Sequence, residues 1–299
     1  MKRLKTLLTL PVVLLGLAVS ACHDDDDDNS TASSVNVNRN DSSQEPTLQR
    51  LEIPHVKGGN STILIHTTGS DPMGVNYVVE WDIDKKAQRW TAYQMTSSYS
   101  GGAGYDGQFE EDPSLNPAFR VSDSRYFYSG SGFTRGHICP SADRQYSKAA
   151  NHQTFYYTNM QPQYYNFNAG ENYTSPWVRL ENQVRSWANN ATFDTLYVVK
   201  GGTIEDDQLL MKIRNELRVP KYFFVALLGK TSTGYRAVGF WLEHDNQPHT
   251  GTESLGSYAM NIRELEELTG IDFFCNLPDE TENHVETLPT ENVRRAWGI

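Results

Sequence analysis

Three things are scarce in this 299-residue chain, and each shortage narrows what it can be. Cysteine occurs three times, too few for a disulfide-built scaffold, so the fold must rest on an apolar core. No apolar run reaches the roughly 20 residues that a membrane-spanning helix needs, since the run from Leu7 to Val19 falls short. Positive charge is in deficit: 26 Lys and Arg face 37 Asp and Glu, a formal net charge of −11. That balance excludes tight coating of nucleic acid through a basic surface. Familiar catalytic strings are missing as well. The absence of His-Glu-x-x-His and Gly-x-Ser-x-Gly argues against zinc proteases and serine hydrolases. The glycines between Gly101 and Gly107 are followed by neither a Lys-Ser/Thr pair nor a helix start, which makes a flexible loop rather than a phosphate cradle.

What is present begins with a leader. Lys2, Arg3 and Lys5 precede the apolar run, and Ser20-Ala21-Cys22 follow it, the pattern of a signal peptide over residues 1–21. Val19-Ser20-Ala21-Cys22 resembles a bacterial lipobox, so Cys22 is expected to carry lipid and tie the protein to a membrane. The alternative is an ordinary secretory signal cleaved nearby. Asp24 to Asp28 and the Ser/Asn-rich stretch after them predict a disordered acidic and polar tether over 22–49. An acidic run after a lipidated Cys also resembles a surface-export signal, which places the protein at the outer membrane or cell surface. Loss of the leader leaves 23 basic against 37 acidic residues. The remaining two thiols, Cys139 and Cys275, either pair in an oxidising compartment or lie separately buried.

Residues 50–299 suit one domain. Ile63–His66, Tyr77–Trp81, Trp90–Met95, Phe133–Ile138, Phe155–Thr158, Leu196–Val199, Tyr222–Leu228 and Ala237–Leu242 read as strands, being rich in β-branched and aromatic residues. Trp177, Leu180, Val184 and Trp187 mark one face of a helix, on which Glu181 and Arg185 stand four apart. Ile262, Leu265 and Leu268 mark another, ended by Gly270. Asp112 to Tyr128 reads as a surface segment. The fold class is α+β with a large, mainly antiparallel sheet.

The chemistry concentrates in Thr134-Arg135-Gly136-His137-Ile138-Cys139-Pro140 and in Thr158-Asn159-Met160-Gln161-Pro162-Gln163. An imidazole acts as a base near neutral pH, a guanidinium forks onto phosphate, and an amide offers a neutral oxygen ligand. Together they suit phosphodiester cleavage, which needs a base for water, charge on the phosphoryl oxygens and help for the departing oxygen. Magnesium keeps several of its waters, so few protein oxygens suffice to hold it. Between Arg120 and Arg185 seven basic residues outnumber four acidic ones, an uneven charge that fits transient contact with substrate.

Ser131-Gly132-Phe133-Thr134-Arg135-Gly136-His137, Thr154-Phe155, Asn159-Met160-Gln161-Pro162-Gln163, Asn168-Ala169-Gly170 and Trp177-Val178-Arg179-Leu180-Glu181, in that order, resemble the DNA/RNA non-specific endonucleases with their ββα-metal motif. The resemblance implies that His137 is the general base and that Asn168, at the start of the active-site helix, ligates a single Mg²⁺, for which Mn²⁺ can substitute. It implies that Asn159 supports the catalytic geometry, that Glu181 positions water at the metal, and that Arg135 assists phosphate binding or site structure. The implied substrates are DNA and RNA, cut to 5′-phosphate and 3′-hydroxyl ends. The Asn-x-Gly pattern favours Asn168 over Asn166 as the ligand.

This chain departs from the family in three places. Thr134 stands where Asp is frequent. No Arg precedes the Phe109-Glu110-Glu111-Asp112-Pro113 block, leaving Arg120 or Arg125 as substitutes. Glu171–Pro176 is an insert. Two other readings compete. One is a phosphodiesterase acting on small nucleotides; the other is a surface lipoprotein that only binds, for which Tyr164 and Tyr165 are candidate stacking rings. His66, His152 and His244 are expected to be structural or at the surface, and Arg144 and Lys148 to contact phosphate or solvent.

Overall fold

The computed structural model describes residues 35–99, 102–104, 107–121, 124–190 and 192–299. The leader, Cys22 and the Asp24–Asp28 run lie outside them. Three strands come first: β1 (Ser61–His66), β2 (Tyr77–Asp82) and β3 (Ala87–Met95). The short helix α1 (Ser124–Tyr128) precedes β4 (Thr134–His137), then α2 (Lys148–Gln153), β5 (Met160–Gln163), α3 (Tyr165–Asn168) and α4 (Pro176–Asn189). The second half supplies β6 (Thr195–Gly202), β7 (Leu209–Ile213), β8 (Leu217–Pro220), β9 (Tyr222–Thr231), β10 (Gly234–Glu243) and β11 (Ala259–Met260). It ends with α5 (Ile262–Thr269), α6 (Asp279–Glu286) and α7 (Thr290–Trp297).

Seven strands in the order β1-β2-β3-β6-β9-β10-β11 form one sheet, antiparallel at every pairing. Its central strands are apolar at nearly every position because both faces are covered. Leu196 and Val198 of β6 and Phe223, Val225 and Leu227 of β9 face α4, packing with Trp177, Leu180, Val184 and Trp187. The alternate residues Val199, Phe224, Ala226 and Leu228 face the other way, against Ile262 and Leu265 of α5 and Val285 of α6. This period-two division of side chains gives two cores, one on each face. Helix α4 starts with Ser175 accepting from Val178 N at 3.2 Å, followed by Pro176. Helix α5 stops at Gly270, whose φ of 64° few side chains tolerate.

Several sequence expectations require correction. The tether was expected to run to residue 49, yet 36–49 pack on the domain. Asn40 is 4% exposed and donates to Pro54 O at 3.0 Å and to Cys275 Sγ at 3.5 Å. Asn36 donates to Cys275 O, and Pro46–Gln49 form a 3₁₀ turn. Asn36 and Asn40 reach Cys275 across more than 200 residues, a pairing that leaves no trace in local composition. Phe155–Thr158 is not a strand. Tyr157–Asn159 is a 3₁₀ turn, and the strand begins at Met160. The Asn159 amide bonds Thr154 O and folds the chain back before it can extend. Asp112–Tyr128 is not merely surface: Asp112 is buried against His66 (2.8 Å) and Thr158, and 124–128 form α1. Cys139 and Cys275 are both free and buried. They lie in separate places, Cys139 in the core beneath α4 and Cys275 beside Ile53 and Asn40.

Candidate active site

The hairpin β4–β5 pairs Thr134 with Gln163, Arg135 with Pro162, Gly136 with Gln161 and His137 with Met160. A glycine is required at 136, because a Cβ there would overlap the buried Gln163 side chain. Gln161 fastens the hairpin to the large sheet. Its Oε1 accepts from Gly202 N at 2.6 Å and its Nε2 donates to Gly202 O at 3.3 Å. On the other side of His137, Asn159 grips the chain. Its Oδ1 accepts from Cys139 N at 2.8 Å and its Nδ2 donates to Cys139 O at 2.9 Å. Wholly buried, Asn159 does not line the cleft; what it does is fix the backbone two residues past His137.

His137, Asn168, Glu181, Asn182, Arg185 and Tyr173 line one cleft of about 460 Å³. The His137 Nε2 is buried and has no hydrogen-bond partner. Burial, then the positive charge of Lys200, push the imidazole down to about 4, so the ring is neutral at pH 7 and offers a lone pair. Asn168 Nδ2 donates to Thr134 Oγ1 at 3.0 Å, and Thr134 Oγ1 donates to Gln163 O at 2.9 Å. With its nitrogen engaged, the Asn168 amide has its carbonyl oxygen left for a ligand. Glu181 accepts from Lys200 Nζ at 2.7 Å. Burial raises the Glu181 carboxyl, opposed by the Lys200 ammonium, which also sits 4.2 Å from the Trp177 ring centroid. One neutral amide oxygen and one carboxylate form a sparse, hard donor set. It fits a magnesium ion that keeps most of its waters, and Mn²⁺ by the same chemistry. No group of three or more His, Cys, Asp or Glu able to hold a metal occurs among the described residues.

Three of the five sequence-selected residues therefore meet in the cleft: His137, Asn168 and Glu181. Arg135 is not among the residues that line it. Its guanidinium lies 4.8 Å from the Phe109 ring centroid and 5.1 Å from that of Tyr128, a stacked position under the hairpin. Asn168 ends the separate short helix α3 rather than opening α4, because Glu171–Ser175 intervenes. Glu181 is bonded to Lys200 and not to Arg185, which instead holds Asp143 at 2.7 Å. Arg120 does not replace the missing upstream Arg in the cleft, since it donates to Asp112 O and Leu115 O; Arg125 is exposed on α1. Arg144 is fully buried and bonded to Asn76 O and Gln94 O, away from phosphate or solvent. Tyr164 packs on Phe133 and His244. His244 is structural: its Nε2 accepts from Tyr164 N at 2.8 Å and its Nδ1 donates to Pro220 O at 2.7 Å.

Thr134, Lys200 and Tyr173 escaped the sequence reading as parts of this site. For Thr134 a signal existed, namely its departure from the family's Asp. Lys200 had none, since it sits in an otherwise apolar strand 19 residues from Glu181.

The family pattern of the DNA/RNA non-specific endonucleases matches residues 65–280. A nuclease of Nostoc sp. is 30% identical over 218 residues, covering 71% of this chain and 75% of that one. Nuclease C1 of Cunninghamella echinulata var. echinulata is 29% identical, covering 69% and 83%, and human mitochondrial Endonuclease G is 26% identical, covering 68% of each. A chain in the crystal structure of the EndoG/EndoGI complex shares the fold with a TM-score of 0.60 at 22% identity, covering 75% of this chain and 91% of that one. Fold and relatives together define a hydrolytic nuclease. The chain belongs to the DNA/RNA non-specific endonuclease family.

Proposed function

We propose that this protein is a secreted, lipid-anchored endonuclease that hydrolyses DNA and RNA with His137 as general base and one Mg²⁺ on Asn168, leaving 5′-phosphate and 3′-hydroxyl ends. The observation that carries the reading is a neutral His137 imidazole lining the same cleft as Asn168 and Glu181. The His137 imidazole takes the proton of the attacking water, a contribution of about 10²–10⁴-fold. Asn168 would hold the cation through Oδ1, its nitrogen anchored on Thr134. Glu181, fixed by Lys200, would orient water beside a bound cation. A bound divalent ion supplies charge to the phosphoryl oxygens and stabilises the departing 3′-oxygen. Asn159 and Gln161 keep the hairpin that carries His137 in place. The anchor rests on Cys22 after the apolar run, a sequence feature alone.

Purified protein incubated with closed circular DNA and with RNA, with and without chelator, tests this reading. Expected results are opened circles and degraded RNA, both abolished by chelation. His137→Ala is expected to lose activity by about 10²–10⁴-fold with its melting temperature kept. An intact circle beside cleaved small nucleotide diesters would instead mark a small-nucleotide phosphodiesterase.

A further inference from the structure

The insert after Asn168 does more than lengthen a loop. Glu171–Tyr173 form a 3₁₀ turn in which Asn172 and Tyr173 have φ of 57° and 59°. Asparagine visits this left-handed region with little difficulty, whereas a bulky aromatic residue is an outlier there. The turn is held rather than loose. Thr174 Oγ1 donates to Glu171 O at 2.7 Å, and Ser175 N donates to Ala169 O at 3.2 Å. The outcome is a tyrosine 70% exposed on the rim of the cleft that holds His137, Asn168 and Glu181. Backbone strain kept at such a position points to use.

The charges nearby show which part of a nucleotide that ring meets. Arg185 is bonded to Asp143 and Asn182, and Lys200 to Glu181. The whole chain carries −11. Cationic groups at the cleft are thus already engaged, and long-range attraction for a phosphate backbone is weak. An aromatic face, by contrast, takes any base whatever the protein's charge.

We propose that Tyr173 is a base-stacking subsite beside the reacting phosphate, which makes single-stranded DNA or RNA the preferred substrate. A duplex keeps its bases stacked inside and has none to offer until it opens. The subsite rests on the nuclease reading and adds a substrate class to it.

Binding is measured by fluorescence anisotropy with Mg²⁺ present, in the His137→Ala background so that strands stay whole. The probes are a labelled single strand, the same strand with abasic sites, and a duplex. Tyr173→Ala is expected to weaken binding of the single strand about 10-fold, within the range set by one lost base stack, and Tyr173→Trp to preserve it. The abasic strand is expected to bind both proteins equally and weakly. The salt dependence stays the same in the variant, because no charge is lost. Tyr165, 55% exposed and outside the cleft lining, supplies the control Tyr165→Ala, expected to bind as the parent does. Equal single-strand affinity with and without the Tyr173 ring, or an equal loss on abasic strands, overturns the proposal. With His137 intact, plasmid cutting tests the nuclease reading separately, so the two failures are told apart.

Discussion

Thr134→Val replaces a hydroxyl by a methyl of nearly the same shape and removes two hydrogen bonds, the 3.0 Å bond from Asn168 Nδ2 and the 2.9 Å bond to Gln163 O. Each neutral bond is worth about 0.5–1.5 kcal/mol net, so the fold loses roughly 1–3 kcal/mol. For a domain of this size each kcal/mol lowers the melting temperature by about 2–4 °C. The larger effect falls on the metal. Once Asn168 Nδ2 is free, the amide rotates and its Oδ1 no longer holds one direction. Loss of a group that orients a ligand typically costs about 10–100-fold in metal affinity. The assay is nuclease activity against Mg²⁺ concentration, together with direct titration of the metal by calorimetry. The half-saturating Mg²⁺ concentration is expected to rise at least 10-fold, with the rate at saturating metal much less affected. Thr134→Ser is expected to restore both. Thr134→Asp keeps an acceptor for Asn168 but cannot donate to Gln163 O, so metal affinity recovers more than stability does. An unchanged metal dependence in a folded Val variant would refute the argument that Thr134 orients the ligand.

Two further outcomes follow from the geometry. Gly136→Ala places a methyl against the Gln163 side chain and is expected to destabilise by about 1–3 kcal/mol, read as a lower melting temperature along with reduced cutting. Acid weakens the fold through His137 and His244, both pushed by burial down to about 4 from an unfolded value near 6.5. Unfolded chains then bind more protons, so the contribution is complete above pH 6.5 and is lost as pH falls towards 4. Urea midpoints measured across that window are expected to fall with pH, and His244→Gln to flatten the dependence.

Much of the fold was legible because its elements carry local periods. Trp177, Leu180, Val184 and Trp187 mark α4 through a 3.6-residue repeat, and all four are buried on the sheet. The apolar runs of β6 and β9 announce strands covered on both sides. The β7–β8 hairpin, α6 and α7 were not anticipated. The β7 run is short and leaves Leu210 and Met211 exposed, while α6 and α7 are short and polar, with carboxylates in the first turn of α6.

By itself the sequence determined which groups are available for chemistry: the strand ending in His137, the amide of Asn168, the carboxylate of Glu181 on a helical face. Their residue types and ordered motifs are local properties of the chain. Only the tertiary structure decided how they are set. Lys200 reaches Glu181 from a strand 19 residues on, and Thr134 reaches Asn168 across 34. Arg135 is drawn against aromatic rings and away from the cleft lining, while Tyr173 is lifted onto the rim. Such pairings depend on packing between segments distant in the chain, and desolvation, which sets the state of His137, exists only once those segments have closed around it.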